Sequence, residues 1–131
     1  MKTGVILFVI CLWSLGICQI PMGELPTKVT AFVRRAANFA ANEINSHATS
    51  AEWFTLTNIQ NPTIEAVMGI MYRMDITLQE STCKNLPANR NATSTTCPPK
   101  AGALTKHCHV EVLDDPGTTP RYSLKMQQCG A

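Results

Sequence analysis

Two histidines, His107 and His109, flank Cys108 in a segment with the alternation of a β-strand, so their side chains share one face. Imidazole is a common zinc ligand, and such a pair can hold a metal ion from two sides. Two ligands do not make a site, and the chain has only one other histidine, His47. We therefore predict that these are exposed strand residues, and that the protein holds no metal and no cofactor.

Hydrolytic chemistry is not indicated either. A nucleophile needs a base and an orienting group that converge on it, and the sequence contains no short nucleophile motif such as GxSxG. Glu65 has the side chain of a general acid, but no carboxylate or histidine partner stands near it in the sequence. We predict that the protein is not an enzyme.

The segment EAVMG, Glu65 to Gly69, lies between two segments with β-strand patterns. A turn that only reverses the chain commonly uses Asn-Gly or Asp-Gly and has no need of an exposed valine or methionine. Two interpretations stay open from the residues alone. Either Val67 and Met68 form an apolar edge that contacts a partner, or they fold back onto the sheet.

The first 18 residues have the organisation of a secretory signal peptide. Lys2 supplies the positive charge, GVILFVICLWSL is the apolar core, and Gly16 and Cys18 are the small residues before a cut. The apolar core is too short for a membrane span, and no basic stop-transfer cluster follows it. We predict a signal peptide over 1–18, a single domain over 19–131, and a secreted, extracellular protein with no membrane partner.

Removing this leader also removes Cys11 and Cys18, so an even number of cysteines remains in an oxidising environment. Four cysteines allow three disulfide pairings, and the residues alone do not choose among them. The remaining chain of about 110 residues suffices for one hydrophobic core. The net charge is only +2 and its basic residues are scattered, so we expect no nucleic-acid partner.

The segment VTAFVRRAANFAANEIN predicts one amphipathic helix of about four turns. Thr27, which follows Pro26, is the predicted N-cap. The predicted buried face consists of Val29, Phe32, Val33, Ala36, Ala40 and Ile44.

Four later segments, WFTLTNIQ, IMYRMDITLQ, HCHVEVL and RYSLKMQQ, have strand character, although the first alternates imperfectly. One helix and four one-sided strands predict an α+β fold in which an antiparallel sheet packs on the helix. The predicted inward residues of the last three strands are Ile70, Tyr72, Met74, Ile76 and Leu78, then Cys108, Val110 and Val112, then Tyr122, Leu124 and Met126.

A long surface excursion is predicted between the second and third strands, because KNLPANRNATSTTCPPKAGALTK is rich in proline, asparagine, serine and threonine. Asn91 in NAT is a sequon for an N-linked glycan. The proline in NPT disqualifies Asn61.

Taken together, these features resemble the type 2 cystatins, secreted inhibitors of papain-like cysteine proteases. The resemblance covers nearly all of the chain after the leader. It depends on an N-terminal arm with Gly23, the helix pattern V-R-R-A-x-x-F-A-x-x-E-x-N, the hairpin at EAVMG, and the interval from Gly69 to Cys83. The family's fold is an antiparallel β-sheet of four to five strands wrapped around one long α-helix, with two C-terminal disulfides.

The resemblance implies disulfides between Cys83 and Cys97 and between Cys108 and Cys129. It also implies a protease-binding wedge of three parts: a glycine with the arm before it, a QxVxG hairpin, and a second hairpin with Pro-Trp. The matching residues here are Met22 and Gly23 in the arm, Glu65, Ala66, Val67, Met68 and Gly69 in the first hairpin, and Pro116 and Gly117 in the second.

Two positions depart from the family pattern: Glu65 stands in place of glutamine, and Gly117 in place of tryptophan. Loss of an interface tryptophan costs about 2 kcal/mol, or about thirtyfold in affinity. A carboxylate that must be desolvated adds about 1 kcal/mol. We therefore predict a reversible inhibitor of cathepsin L-type enzymes that is weakened or narrowed in range.

Some cystatins also block legumain through an asparagine after the helix, but HATSAE has none, so we predict no legumain partner. The alternative function is a non-inhibitory cystatin-fold module, binding or antimicrobial, in a secretion. A receptor-directed toxin would carry exposed basic or aromatic clusters, which the sequence lacks. We expect a monomer, with a domain-swapped dimer as an alternative state through the first hairpin.

Overall fold

The structure is a computed structural model that describes residues 10–12, 17–19 and 23–130. Strands β1 (Ile10–Leu12) and β2 (Ile17–Gln19) pair antiparallel in a two-stranded sheet of their own. The rest of the predicted leader lies outside the described residues. Among the described residues, no helix combines the length and apolarity needed to cross a bilayer.

The remaining strands form one antiparallel sheet in the order β3-β4-β5-β6-β7. The strands β4 and β5 are long and joined by a very tight turn, and an excursion with a short 3-10 helix, Pro87–Asn89, separates β5 from β6. One helix, α1, lies across the sheet, so the predicted α+β fold is confirmed with five strands. The bounds are β3 (Leu25–Pro26), α1 (Ala31–His47), β4 (Glu52–Val67), β5 (Gly69–Lys84), β6 (Thr105–Asp114) and β7 (Tyr122–Gly130).

The helix begins later than the sequence predicted, because its N-cap is Thr30 and not Thr27. The Thr30 side chain accepts a hydrogen bond from the Val33 amide at 3.2 Å. The Thr27 amide instead donates to the Pro62 carbonyl at 3.0 Å, which extends the pairing of β3 with β4. Val29 therefore precedes the helix and is exposed.

Small side chains bring the helix close to the sheet. The buried face consists of Val33, Ala36, Ala37, Ala40, Ala41, Ile44 and Asn45. This face is rotated relative to the predicted one, so Phe32 is 56% exposed and its ring lies under the Arg35 guanidinium at 4.7 Å.

The inward residues of β5 and β6 follow the predicted alternation. Tyr72, Met74, Ile76 and Leu78 are buried with Cys108, Val110 and Val112, while Ile70, at the hairpin end, is exposed. The prediction for β7 is wrong at one residue. A bulge shifts the register between Glu111 and Val112, so Met126 pairs with Glu111 and is 42% exposed.

Both predicted disulfides are present, Cys83–Cys97 and Cys108–Cys129. The first disulfide connects the excursion to the end of β5. Ser81 and Pro99 also form an isolated antiparallel β-bridge there. The second joins directly paired positions of β6 and β7. Both therefore lie in the second half of the domain, and neither is bonded to the helix.

A buried asparagine fixes the end of the helix. The Asn45 side chain donates to the carbonyls of Ala41 at 2.9 Å and Phe54 at 2.8 Å, and accepts from the Phe54 amide at 2.9 Å. These bonds connect the last turn of α1 to the start of β4, and they satisfy backbone groups that would otherwise be buried without partners.

Candidate functional site

The first hairpin, Glu65 to Gly69, ends in a turn of a single residue. Val67 pairs with Gly69 and Ala66 with Ile70, so only Met68 lies between the strands. Met68 is 89% exposed and Val67 is 47% exposed. The interpretation in which these side chains fold back onto the sheet is therefore wrong: the tip presents an apolar edge to solvent.

Gly69 is required at this turn for two separate reasons. Its φ of +122° is a conformation that side-chain-bearing residues rarely adopt. A Cβ atom at this position would also lie 2.6 Å from the Asp114 carbonyl oxygen and 3.3 Å from the Asp115 Cα. Asp114 ends β6, so Gly69 lets the first hairpin approach the second at backbone distance.

The second hairpin, Asp115 to Arg121, is closed by its own hydrogen bonds. The Asp115 amide donates to the Arg121 carbonyl at 2.8 Å, and the Asp115 side chain accepts from the Gly117 amide at 3.1 Å. Below it, the buried Asp114 carboxylate accepts two hydrogen bonds from Arg121, at 2.5 and 3.1 Å. Pro116 and Gly117 are exposed at the tip.

The arm reaches the same end of the sheet. Leu25 pairs with Ile64 and Pro26 with Thr63, so the chain that enters β3 runs alongside the last residues of β4. Gly23 is therefore near the level of Ala66, and a Cβ added there would meet nothing within 4 Å. Met22 lies outside the described residues.

One guanidinium lies beneath these segments, on the sheet face opposite the helix. Arg73 Nη1 is 2.6 Å from the Glu65 carboxylate and 3.3 Å from that of Glu24, and its Nε is 3.5 Å from Glu111. We refer to these four residues as the Arg73 cluster. The hydrogen bond with Glu65 raises the pKa of Arg73, although partial burial opposes this. The Glu65 charge is thus paired with a cation rather than left to bulk water.

His109 extends this row of charges. Its Nδ1 lies 2.9 Å from an Asp75 oxygen and its Nε2 lies 3.3 Å from Glu111. Burial of the ring is the largest single effect and lowers the pKa of His109, but the hydrogen bonds and charges of the two carboxylates together outweigh it and the net pKa is raised. His107, on the same face, contacts Thr77. No cluster of three metal-ligating side chains occurs in the described part of the chain.

The predicted glycan acceptor lies at the opposite end of the sheet. Asn91 is exposed, with a φ of +64°. The Asn91 side-chain oxygen accepts a hydrogen bond from the Asn42 side-chain nitrogen at 2.5 Å. The Asn91 backbone amide donates to the Asn42 side-chain oxygen at 2.9 Å. The excursion is therefore attached to the helix at this point.

The sequence did not identify Arg73 or Glu24 as parts of this site. Alternation places Arg73 on the solvent face of β5, where a lone charge is ordinary. Its partners lie on β4, β6 and the arm, so they become apparent only once the strand register is known.

The arrangement defines a cystatin-like fold: five antiparallel strands across one helix, closed by two disulfides in the second half of the chain. Among solved structures, the chain is similar to dimeric human cystatin F, with a TM-score of 0.72 and 19% identity over 92% of this chain and 96% of that chain. It is also similar to a salivary cystatin of the soft tick Ornithodoros moubata, with a TM-score of 0.65 and 21% identity over 86% and 100% of the two chains.

Mialostatin, a gut cystatin of the hard tick Ixodes ricinus, gives a TM-score of 0.64 and 18% identity over 83% of this chain and 98% of that chain. At these identities the similarity establishes the fold. A scan against protein-family models and a search of curated proteins gave no match.

Proposed function

We propose that the protein is a secreted, reversible inhibitor of papain-like cysteine proteases, of the cathepsin L type, which blocks the active-site cleft. One observation carries the proposal: Val67 and Met68 form an exposed apolar tip between the arm and the second hairpin, at one end of a hydrogen-bonded sheet. Such a preordered edge loses little entropy on entering a cleft.

The geometry supports contact along this whole edge. Gly69 holds the two hairpins at backbone distance, and Pro116 and Gly117 are exposed beside it. Gly23 leaves the arm free of side-chain bulk at the level of Ala66. Met22 is the apolar residue that the family resemblance places in the main specificity pocket of the enzyme.

The two departures from the family pattern have unequal consequences. Glu65 is paired with Arg73 at 2.6 Å, so the loss in affinity from its charge should be below the about 1 kcal/mol expected for an unpaired carboxylate. Gly117 provides no side chain where the family has tryptophan, and this loss of about 2 kcal/mol has no visible compensation. We expect an inhibitor that is weakened through its second hairpin or narrowed in the range of proteases it inhibits, and that does not inhibit legumain.

A matched pair of charge substitutions tests the proposal. Val67→Asp places a carboxylate on the tip and should weaken inhibition of papain at least about thirtyfold. Leu104→Asp makes the same kind of change at another exposed apolar residue, next to the start of β6 at the far end of the sheet, and should leave inhibition unchanged. Equal effects of the two substitutions would contradict a binding role for the tip, and no inhibition by the unsubstituted protein would favour the non-inhibitory alternative.

Two features of processing belong to the same proposal. Cleavage after Cys18 and an N-linked glycan on Asn91 are expected in the secreted protein. Asn91 is exposed at the end of the sheet away from the hairpin tips, so a glycan there leaves the proposed inhibitory edge open. Intact mass before and after glycosidase treatment tests both, because the N-terminus and the glycan contribute separate mass differences.

A further inference from the structure

Arg73 lies on β5, the central strand of the five, and on the outer face of the sheet. It is directly opposite Thr63 on β4 and Glu111 on β6, while Glu65 is its diagonal neighbour two residues along β4. Glu24 reaches the same position from the arm. A single side chain thus contacts the arm, the base of the first hairpin and the strand that leads to the second hairpin.

The arm has few other attachments to the sheet. Its strand, β3, contains two residues, and the Thr27 amide adds one backbone hydrogen bond to Pro62. Two ladder positions alone hold a strand weakly. Side-chain contacts of Glu24 therefore matter: its carboxylate accepts from Thr63 Oγ1 at 2.8 Å and from Arg73 at 3.3 Å.

The charges in the cluster are unbalanced. Three carboxylates surround one guanidinium, and the Arg73 side chain is only 24% exposed, so screening by water is incomplete. Without the guanidinium, Glu24 and Glu65 would repel each other across the join between the arm and the hairpin. The arginine therefore attracts both segments and also removes a repulsion that would separate them.

We propose that Arg73 is a positioning residue that holds the N-terminal arm beside the first hairpin through Glu24 and Glu65, so that both parts enter a protease cleft as one preordered edge. The inference rests on the proposed function for its effect on inhibition, but the tethering of the arm does not depend on any protease. Arg73 lies on the sheet face below the tips and is paired with carboxylates of this chain, so its expected role is to position the arm and not to bind the enzyme.

The test compares variants of the protein secreted from the full coding sequence. Arg73→Met should raise the inhibition constant for papain about fivefold or more, because the arm must then be ordered on binding. Arg90→Met makes the same chemical change in the exposed excursion beyond the far end of β5 and should leave the constant within about twofold. Glu24→Gln should weaken inhibition like Arg73→Met, and the double variant should be no worse than Arg73→Met alone.

Hydrogen exchange of the Thr27 amide provides a readout without any protease. Arg73→Met and Glu24→Gln should each speed this exchange about tenfold, while amides in the middle of β5 keep their protection. Unchanged Thr27 exchange in Arg73→Met, or additive effects of the two substitutions on inhibition, would overturn the inference. If the unsubstituted protein does not inhibit papain but Thr27 exchange responds as expected, the tether stands and the proposed function fails.

Discussion

Gly69→Ala should damage the candidate site through the contact between the two hairpins. The substitution forces an alanine into a φ of +122° and places its Cβ 2.6 Å from the Asp114 carbonyl oxygen. Gly102 provides a matched control, because its φ is +69° and an added Cβ there would meet nothing within 4 Å. Gly102→Ala therefore carries a backbone cost without a collision.

The two costs can be separated. A left-handed backbone costs a residue with a side chain about 1–2 kcal/mol, which is the expected loss of unfolding free energy for Gly102→Ala. A forced backbone shift adds about 1–3 kcal/mol, so Gly69→Ala should lose about 2–5 kcal/mol in total. For most of the usual stability range of about 5–15 kcal/mol the domain remains folded after this loss, and in a variant that urea unfolding shows to be folded any lost inhibition reflects the displaced hairpins.

Urea unfolding with the disulfides intact measures both losses, and inhibition of papain is measured on the same samples. We expect Gly69→Ala to lose more stability than Gly102→Ala and to be the only one of the two that weakens inhibition. Equal loss of stability in the two variants would refute the argument that Gly69 is needed for the approach of the hairpins. Full inhibition by Gly69→Ala would refute the link from that approach to function.

Three further predictions concern the core and the charged face. Asn45→Ala should lower the unfolding free energy by about 2–4 kcal/mol, because buried groups of Phe54 lose their partners, whereas Asn58→Ala on the surface should change it little. Thr55 is fully buried, and its Oγ1 has no hydrogen-bond partner among the described residues, so Thr55→Val should raise the unfolding free energy by about 1 kcal/mol in a denaturant titration. Since the pKa of His109 is raised above 6.5 in the folded protein, its ion pairs stabilise fully below that value and lose their effect as pH rises through the folded pKa. The side chain is partly exposed, so the effect is about 0.5 kcal/mol, and His109→Gln should abolish this part of the stability difference between about pH 5 and pH 8.5.

The sequence was a good guide to the fold where its patterns are periodic. The alternation of β5 and β6 is regular from Tyr72 to Leu78 and from Cys108 to Val112, and each inward residue is buried as expected. In β7 the same reasoning failed at Met126, because a bulge inserts one residue and reverses the faces beyond it. A bulge depends on pairing with the neighbouring strand, and the alternation within one strand does not reveal it.

The helix illustrates a second limit. Its existence and its alanine-rich face follow from spacing, but its start was placed at Thr27 rather than Thr30. Both threonines are suitable caps, and the choice is made by the tertiary structure, because the Thr27 amide is used in pairing β3 with β4. Phe32 was assigned to the core for its hydrophobicity, yet the face that packs on the sheet is built mainly of alanines with Val33 and Ile44, and Phe32 lies outside it.

The sequence located the hairpin of the candidate site, but it did not identify the charged residues beneath that hairpin. The apolar pair before glycine left two interpretations open, an exposed edge or side chains folded onto the sheet, and the exposures of Val67 and Met68 decide for the edge. The pairing of Glu65 with Arg73 could not be predicted, because residues eight apart in sequence meet only through the register of a particular hairpin. The departure from glutamine at position 65, read from the sequence as a liability, is therefore a paired charge in the structure.

The most direct test of the proposed inhibition is a titration of papain, and of a cathepsin L-type enzyme, with the secreted protein while residual enzyme activity is measured. We expect complete and reversible inhibition between nanomolar and submicromolar concentrations, the range left to a tight inhibitor after a loss of about 2–3 kcal/mol. Full enzyme activity at about ten micromolar protein, with both disulfides confirmed by mass, would contradict it.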